Sequence, residues 1–127
     1  MLVEFRNFLQ SPEVSEIEIK EDKGEITFQY KGYAFLFVWN EQDPSYIRLM
    51  LPKIATKENL KDGVEILPTI NEYNKQYKAI KMCLFGEYIW LSMEQFVYSR
   101  ENIGDFFKRI VNILIYVIED FKQEYLK

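Results

Sequence analysis

The chain has 127 residues, with 16 basic and 20 acidic side chains and a formal net charge of −4. This length suits a single domain, residues 1–127, that is large enough to bury its own core. An acidic chain without a cluster of Lys and Arg gains little from a phosphate backbone, so we do not expect nucleic-acid binding. The chain also has no His, which removes most acid–base, nucleophilic and zinc sites. We therefore predict a protein that is not an enzyme and has neither a metal nor a cofactor.

Cysteine content and apolar runs bear on where the protein resides. Cys83 is the single cysteine and cannot form an internal disulfide, as is typical of a reducing cytoplasm. The first ten residues, MLVEFRNFLQ, place Glu4 and Arg6 where a secretory signal requires a continuous apolar run. The longest apolar runs, at 33–39 and 110–118, are much shorter than the about 20 residues of a membrane-spanning helix. We expect a soluble, cytoplasmic protein.

The N-terminal half predicts a short helix followed by strands. Apolar side chains have helical spacing over residues 2–9, and alternate with polar ones on both sides of an Asp-Lys-Gly turn over 16–30. This alternation is typical of a β-hairpin. Tyr33–Trp39 then predicts a strand that is apolar on both faces, followed by a loop at 40–45. Tyr46–Leu51 predicts a fourth strand, closed by Pro52, and the short connections favour an antiparallel meander.

The C-terminal half predicts a helix, a second hairpin and a long helix. From Lys57 apolar residues recur every three or four positions, and Pro68 must either kink this helix or mark a fresh start. Alternation at 80–84 and 89–93, around a turn at Gly86, predicts the hairpin. Residues 100–126 predict a helix of roughly 40 Å with an apolar middle. The predicted class is α+β, an antiparallel sheet with helices packed on it, in the order α-β-β-β-β-α-β-β-α.

One stretch carries a family resemblance. INEYNKQYKAIKMCLFGEYIWLSMEQFV, from Ile70 to Val97, joins a helix end with Asn to two strands and a short turn, and a long amphipathic helix follows. This arrangement resembles the YbjN-like bacterial proteins and the related fold of type III secretion chaperones. The aromatic content of 17% departs from the usual pattern of these proteins. No residue set is specific enough to be transferred position by position.

The resemblance implies a compact, often dimeric α+β domain that binds other proteins and has no catalytic centre. Secretion chaperones of this fold wrap extended segments of other proteins along hydrophobic patches, and the YbjN-like branch is linked to regulation. We accordingly expect a non-catalytic protein-binding module, chaperone-like or regulatory. The expected partner is another protein or a second copy of the chain, most simply in a homodimer.

Aromatic residues in the second hairpin are the predicted contact site. If Ile89, Leu91 and Met93 face the core, then Tyr88 and Trp90 face the opposite way, and Phe85 can join them from the neighbouring strand. Clustered exposed aromatic side chains are typical of binding surfaces. The predicted partner or dimer contacts are Phe85, Tyr88, Trp90 and Trp39. Burial of this second face by another helix of the same chain remains the alternative.

A different function class stays open beside protein binding. Tyr30, Phe35, Phe37 and Trp39 could line an enclosed cavity, as in a sensor of small apolar ligands. Other features favour ordinary structural roles. The acidic stretch at 13–25 lacks the spacing of a calcium loop, and Cys83 has no His beside it to activate its thiol.

Overall fold

The computed structural model describes residues 2–98 and 103–127. Its elements follow the predicted order and confirm the α+β class. They are α1 Leu2–Phe8, β1 Val14–Lys20, β2 Glu25–Tyr30, β3 Tyr33–Asn40, β4 Asp43–Thr56, α2 Ile66–Gln76, β5 Lys81–Phe85, β6 Tyr88–Phe96 and α3 Ile103–Tyr125. Residues 100–102, the predicted start of the long helix, lie outside the described residues.

In the described part of the chain, six antiparallel strands form one sheet in the order β1-β2-β3-β4-β6-β5. The first four strands are neighbours in the sheet as they are in the chain, which is the predicted meander. The last two enter in reverse order, because β6 pairs with β4 and leaves β5 outside. The free edges of the sheet are therefore β1 and β5.

The helices α1, α2 and α3 of the described residues lie on one face of this sheet, which we call the helical face. On that face the Phe5 ring of α1 stacks on Phe37 of β3 at a centroid distance of 3.8 Å. Phe107 of α3 meets the Phe5 ring edge-on at 4.8 Å, and all three side chains are fully buried. Farther along, Tyr73 of α2 contacts Phe121 of α3 at 5.5 Å. Aromatic packing thus fixes each helix against the sheet or against α3.

The fourth strand is longer than predicted. β4 runs from Asp43 to Thr56, so the prediction that Pro52 closes it is wrong. A bulge between Leu51 and Ala55, with Lys53 at φ +53°, carries the strand past the proline. Because bulged residues leave the ladder, the missing N–H of the proline costs no strand hydrogen bond. The predicted loop at 40–45 shrinks to a tight turn at residues 41–42.

The second helix is shorter than predicted. It begins at Ile66 and not near Lys57, where only a single 3₁₀ turn forms. Leu60, whose spacing fitted a helix, instead makes an isolated antiparallel bridge with Leu126. Pro68 lies in the first turn of α2, where its N–H has no partner to lose. The proline therefore marks a fresh helix start, one of the two predicted possibilities.

In the edge strand β1, the regular alternation of side chains between the two faces of the sheet is interrupted. Its register with β2 shifts between Ser15 and Glu18, and Glu16 has φ +50°. Ile17 and Ile19 consequently remain 45% and 38% exposed. A bulge of this kind interrupts the regular edge that another strand would need for pairing.

The other edge, β5, is covered by a side chain. Asn74 of α2 accepts a hydrogen bond from the Met82 N–H at 2.7 Å and donates one to the Met82 carbonyl at 3.0 Å. These two bonds imitate a neighbouring strand at one residue of the edge. They also satisfy backbone groups of a residue whose side chain is only 1% exposed.

Replacing Asn74 by Ala should lower the free energy of unfolding by about 1–2 kcal/mol, since two backbone groups of Met82 lose their partners. Alanine has a higher helix propensity than asparagine, and this difference offsets part of the loss of stability. The measurement is urea denaturation, with Gln76→Ala on an exposed position of the same helix as the matched control. Equal stabilities of the two variants would contradict the role of Asn74.

Two tyrosines and one carboxylate join α2 to α3. The hydroxyls of Tyr73 and Tyr77 donate hydrogen bonds to Asp120 Oδ2 at 2.9 and 3.2 Å. Burial, followed by the hydrogen bond and the charge of Asp120, raises the pKa of Tyr77 to about 12. The same causes raise the pKa of Tyr73 further. The protonated phenols are therefore stabilised in the folded protein.

Stability should fall in strong alkali. A pKa that is raised in the folded state gives stabilisation that is complete below the ordinary tyrosine value of 10.0 and is lost as the pH rises towards about 12. Asp120→Asn removes the charge that adds to the effect of burial on these pKa values, so the stability of this variant should depend less on pH in this range. Urea denaturation at several pH values measures both slopes, and equal slopes would show that Asp120 does not control them.

Candidate protein-binding surface

We call the face of the sheet opposite the helices the open face. The burial pattern of β6 shows which of its side chains point to each face. Ile89, Leu91 and Met93 are at most 1% exposed and point to the helical face. Because side chains alternate along a strand, Tyr88 and Trp90 point to the open face. The predicted orientation of these residues is thus confirmed.

Phe85, Tyr88 and Trp90 form an aromatic patch on the open face. Phe85 of β5 is directly opposite Tyr88 in the ladder, and its ring centroid lies 5.1 Å from that of Trp90. The Phe85 side chain is 52% exposed. The Lys53 ammonium lies over the Tyr88 ring at 5.1 Å, held there by the bulge of β4. An aromatic patch with one lysine at its rim therefore faces outward, and Phe85 is its most exposed ring.

Trp39, the fourth predicted contact, lies on the helical face and not in this patch. Its side chain is 7% exposed, and its ring is 6.1 Å from that of Phe37. The alternation of β3 places Ala34, Leu36 and Val38 on the open face. The wholly apolar strand thus directs its large rings into the core and its smaller side chains outward.

A second group of rings lies towards the opposite end of the open face. Tyr46 of β4 and Phe96 of β6 are ladder partners with ring centroids 5.2 Å apart. Tyr98 stacks on Phe96 at 6.1 Å, and these last two side chains are 83% and 52% exposed respectively. Sequence reasoning missed this group because it assigned Tyr46 to the start of a strand and gave Phe96 no partner.

An ion-pair network crosses the open face between the two aromatic groups. Arg48 Nε lies 2.9 Å from Glu94 Oε1, and Lys81 Nζ lies 3.5 Å from Glu94 Oε2. Partial burial raises the pKa of Glu94, but the Tyr46 hydroxyl and the two cations outweigh it and hold that pKa below its ordinary value. Glu94 is therefore ionised at neutral pH, and the network keeps the middle of the face polar.

The residues proposed to line a ligand cavity are packed against other rings. Phe35 stacks on Phe28 at 5.4 Å and Phe37 on Phe5 at 3.8 Å, while Tyr30 meets Phe35 edge-on at 6.4 Å. All of these side chains belong to one buried core cluster. The space between them is occupied by protein side chains, so this geometry does not favour an apolar-ligand sensor.

A groove beside β5 extends the surface at the sheet edge. Its volume is about 590 Å³, and it is open to solvent. The lining residues are Asn74, Tyr77, Lys78, Ala79, Ile80, Lys81 and Glu94. Lys81 and Glu94 belong to both the groove and the open face, so the two surfaces are continuous.

Other kinds of site find little support in residues 2–98 and 103–127. In these ranges no three Cys, Asp or Glu side chains lie close enough together to hold a metal ion. No helix within them is both long and apolar enough to cross a bilayer. Cys83 is partly buried on the open face, opposite Trp90 in the ladder.

Comparisons with known proteins return no match. No family model, no curated protein and no solved structure matches the chain. The candidate surface must therefore be judged on its own geometry.

Proposed function

We propose that this protein is a non-catalytic protein-binding module, chaperone-like or regulatory, that acts as a homodimer and binds protein through the open face of its sheet. The observation that carries the proposal is the outward position of Phe85, Tyr88 and Trp90 on a sheet whose helices all lie on the other face. Aromatic side chains in contact with one another, at a surface with a charged rim, are typical of the centre of a protein interface.

Burial of apolar area supplies the driving force in this proposal. Leu36 and Val38 of β3 also lie on the open face, on the far side of β4 from the patch, and are only partly covered in the single chain. Removing such side chains from water gives about 25 cal/mol per Å². The Arg48–Glu94–Lys81 network then selects a partner of matching charge, since ionised groups at an interface must be paired. A cytoplasmic location, as expected from the single cysteine, is part of the same proposal.

Trp90→Ala should weaken self-association at least about thirtyfold, which corresponds to about 2 kcal/mol for a central interface tryptophan. It should lower the stability of the isolated chain much less, because Trp90 is already partly exposed. Sedimentation velocity over a dilution series gives the dissociation constant. Thermal melts at concentrations below that constant give the stability of the monomer.

Tyr116→Ala is the matched control, since Tyr116 is a 65% exposed ring on α3, remote from the open face. We expect the control to sediment as the unmodified protein does. If Trp90→Ala and Tyr116→Ala associate equally well, the open face is not the interface. A loss of association that is matched by an equal loss of monomer stability would also count against the proposal.

A further inference from the structure

Six side chains form one straight row across the open face, from the β1 edge to the β5 edge. Each is the ladder partner of the next, and partners in an antiparallel sheet point to the same face. In order of the strands they are Glu18, Thr27, Leu36, Met50, Ser92 and Lys81. We call this set the central row.

The chemistry of the central row is complementary about its midpoint. One half of the row consists of an acid, a hydroxyl and an apolar side chain, counted from the β1 edge to the midpoint. The other half has an apolar side chain, a hydroxyl and a base, counted from the midpoint to the β5 edge. A two-fold axis parallel to the strands, passing between β3 and β4, would superimpose the row of one copy on that of another in reverse. Glu18 would then meet Lys81 of the partner subunit, and Leu36 would meet Met50 of the partner subunit.

Building on the proposed homodimer, we infer that two copies pack open face to open face about an axis parallel to the strands. In this arrangement β1 lies over β5 of the partner subunit, and β2 lies over β6. Such an interface is isologous, so every contact occurs twice. Two sheets that pack with their strands nearly aligned adopt a common packing geometry, with about 10 Å between the sheets.

Opposite charge on the two edges extends the charge pattern of the central row beyond Glu18 and Lys81. Residues 13–25, which form β1 and its turn, hold six acidic side chains and two lysines. Residues 77–85, which lead into β5 and form it, hold two lysines and no acidic side chain. An axis parallel to the strands brings unlike edges together, whereas an axis across the strands would place each edge over its own copy. Like charges facing each other would oppose the second arrangement.

The neighbouring rows differ in how well they fit the same axis. Trp90 would lie over Gln29 of the partner subunit, whose strand β2 directs its own two rings to the helical face. Glu25 would lie opposite Glu94 of the partner subunit, and this like-charge contact disfavours the axis. Arg48 and Lys81 offset part of the Glu94 charge within its own chain, and Lys81 would be shared with Glu18 across the interface. Met50 is only 4% exposed in the single chain, so specificity rests more on the charged ends than on the midpoint.

The single cysteine provides a direct test. Cys83 on β5 and Ser15 on β1 are both one row from the central row, in the same direction along the strands. In the inferred dimer, Ser15 of one copy faces Cys83 of the other. Within one chain they are five strand spacings apart, roughly 24 Å. A bismaleimide that spans about 10 Å, the spacing of packed sheets, should therefore link Ser15→Cys chains into covalent dimers.

Two further proteins serve as controls for this cross-linking experiment. The unmodified protein should give no covalent dimer, because its two Cys83 residues lie at opposite edges of the assembly. Ser15→Cys combined with Cys83→Ser should give none for the same reason. A covalent dimer of the unmodified protein, or no dimer from Ser15→Cys, would overturn the inferred axis.

Charge reversal tests the ends of the central row. Lys81→Glu and Glu18→Lys should each raise the dissociation constant at least about tenfold, since each places like charges opposite each other twice. The double variant should restore association to within about threefold of the unmodified protein. Lys75→Glu is the matched control, because this lysine makes the same charge change but pairs with Glu72 on α2. A double variant that is no better than the singles would overturn the inference.

Sedimentation of the unmodified chain separates the two proposals. If the chain remains monomeric at high concentration, the homodimer itself is refuted and the axis with it. If the chain dimerises and Trp90→Ala weakens the dimer, but the cross-links and the charge exchange fail, the open face remains the interface and only the inferred axis is rejected.

Discussion

The arrangement of this protein depends on the stacking of Phe5 on Phe37, with the Phe107 ring edge-on beside them. This contact ties α1 and α3 to the same face of β3, and α2 then packs on α3 through Tyr73 and Phe121. With all three helices on one face, the large apolar side chains of the central strands turn towards them. The opposite face keeps rings, aliphatic side chains and an ion-pair network in contact with solvent. The candidate binding surface is thus a direct consequence of how the core is closed.

Strand alternation is sufficient to predict part of that surface. In β6, the alternating set Ile89, Leu91 and Met93 is more apolar than the set that contains Tyr88 and Trp90. The sequence alone therefore predicts that Tyr88 and Trp90 point outward. In β3 both alternating sets are apolar, so alternation does not predict which set points to the helical face. Only the packing of Phe5 decides that Phe37 and Trp39 point inward. Residue type alone therefore assigns Trp39 to the surface, whereas its position in the fold is internal.

Features that depend on pairing between distant strands could not be predicted. The bulge that carries β4 past Pro52 has no local signal apart from the proline, which ordinarily indicates the end of a strand. The order β4-β6-β5 depends on the position in the fold at which α2 ends. The sequence therefore predicts neither the Tyr46–Phe96 pair nor the central row from Glu18 to Lys81. The acidic and lysine-rich segments are evident in the sequence, but their position at opposite edges of one sheet is not.

Tryptophan fluorescence tests most directly whether a second protein copy covers the open face. A Trp39→Phe variant leaves Trp90, on the open face, as the reporter. As the variant is diluted through the concentration at which sedimentation reports dissociation, Trp90 should move into water. We expect a red shift of its emission, and stronger quenching by iodide, over the same concentration range. Dissociation without any change in emission or quenching would show that the copies meet elsewhere.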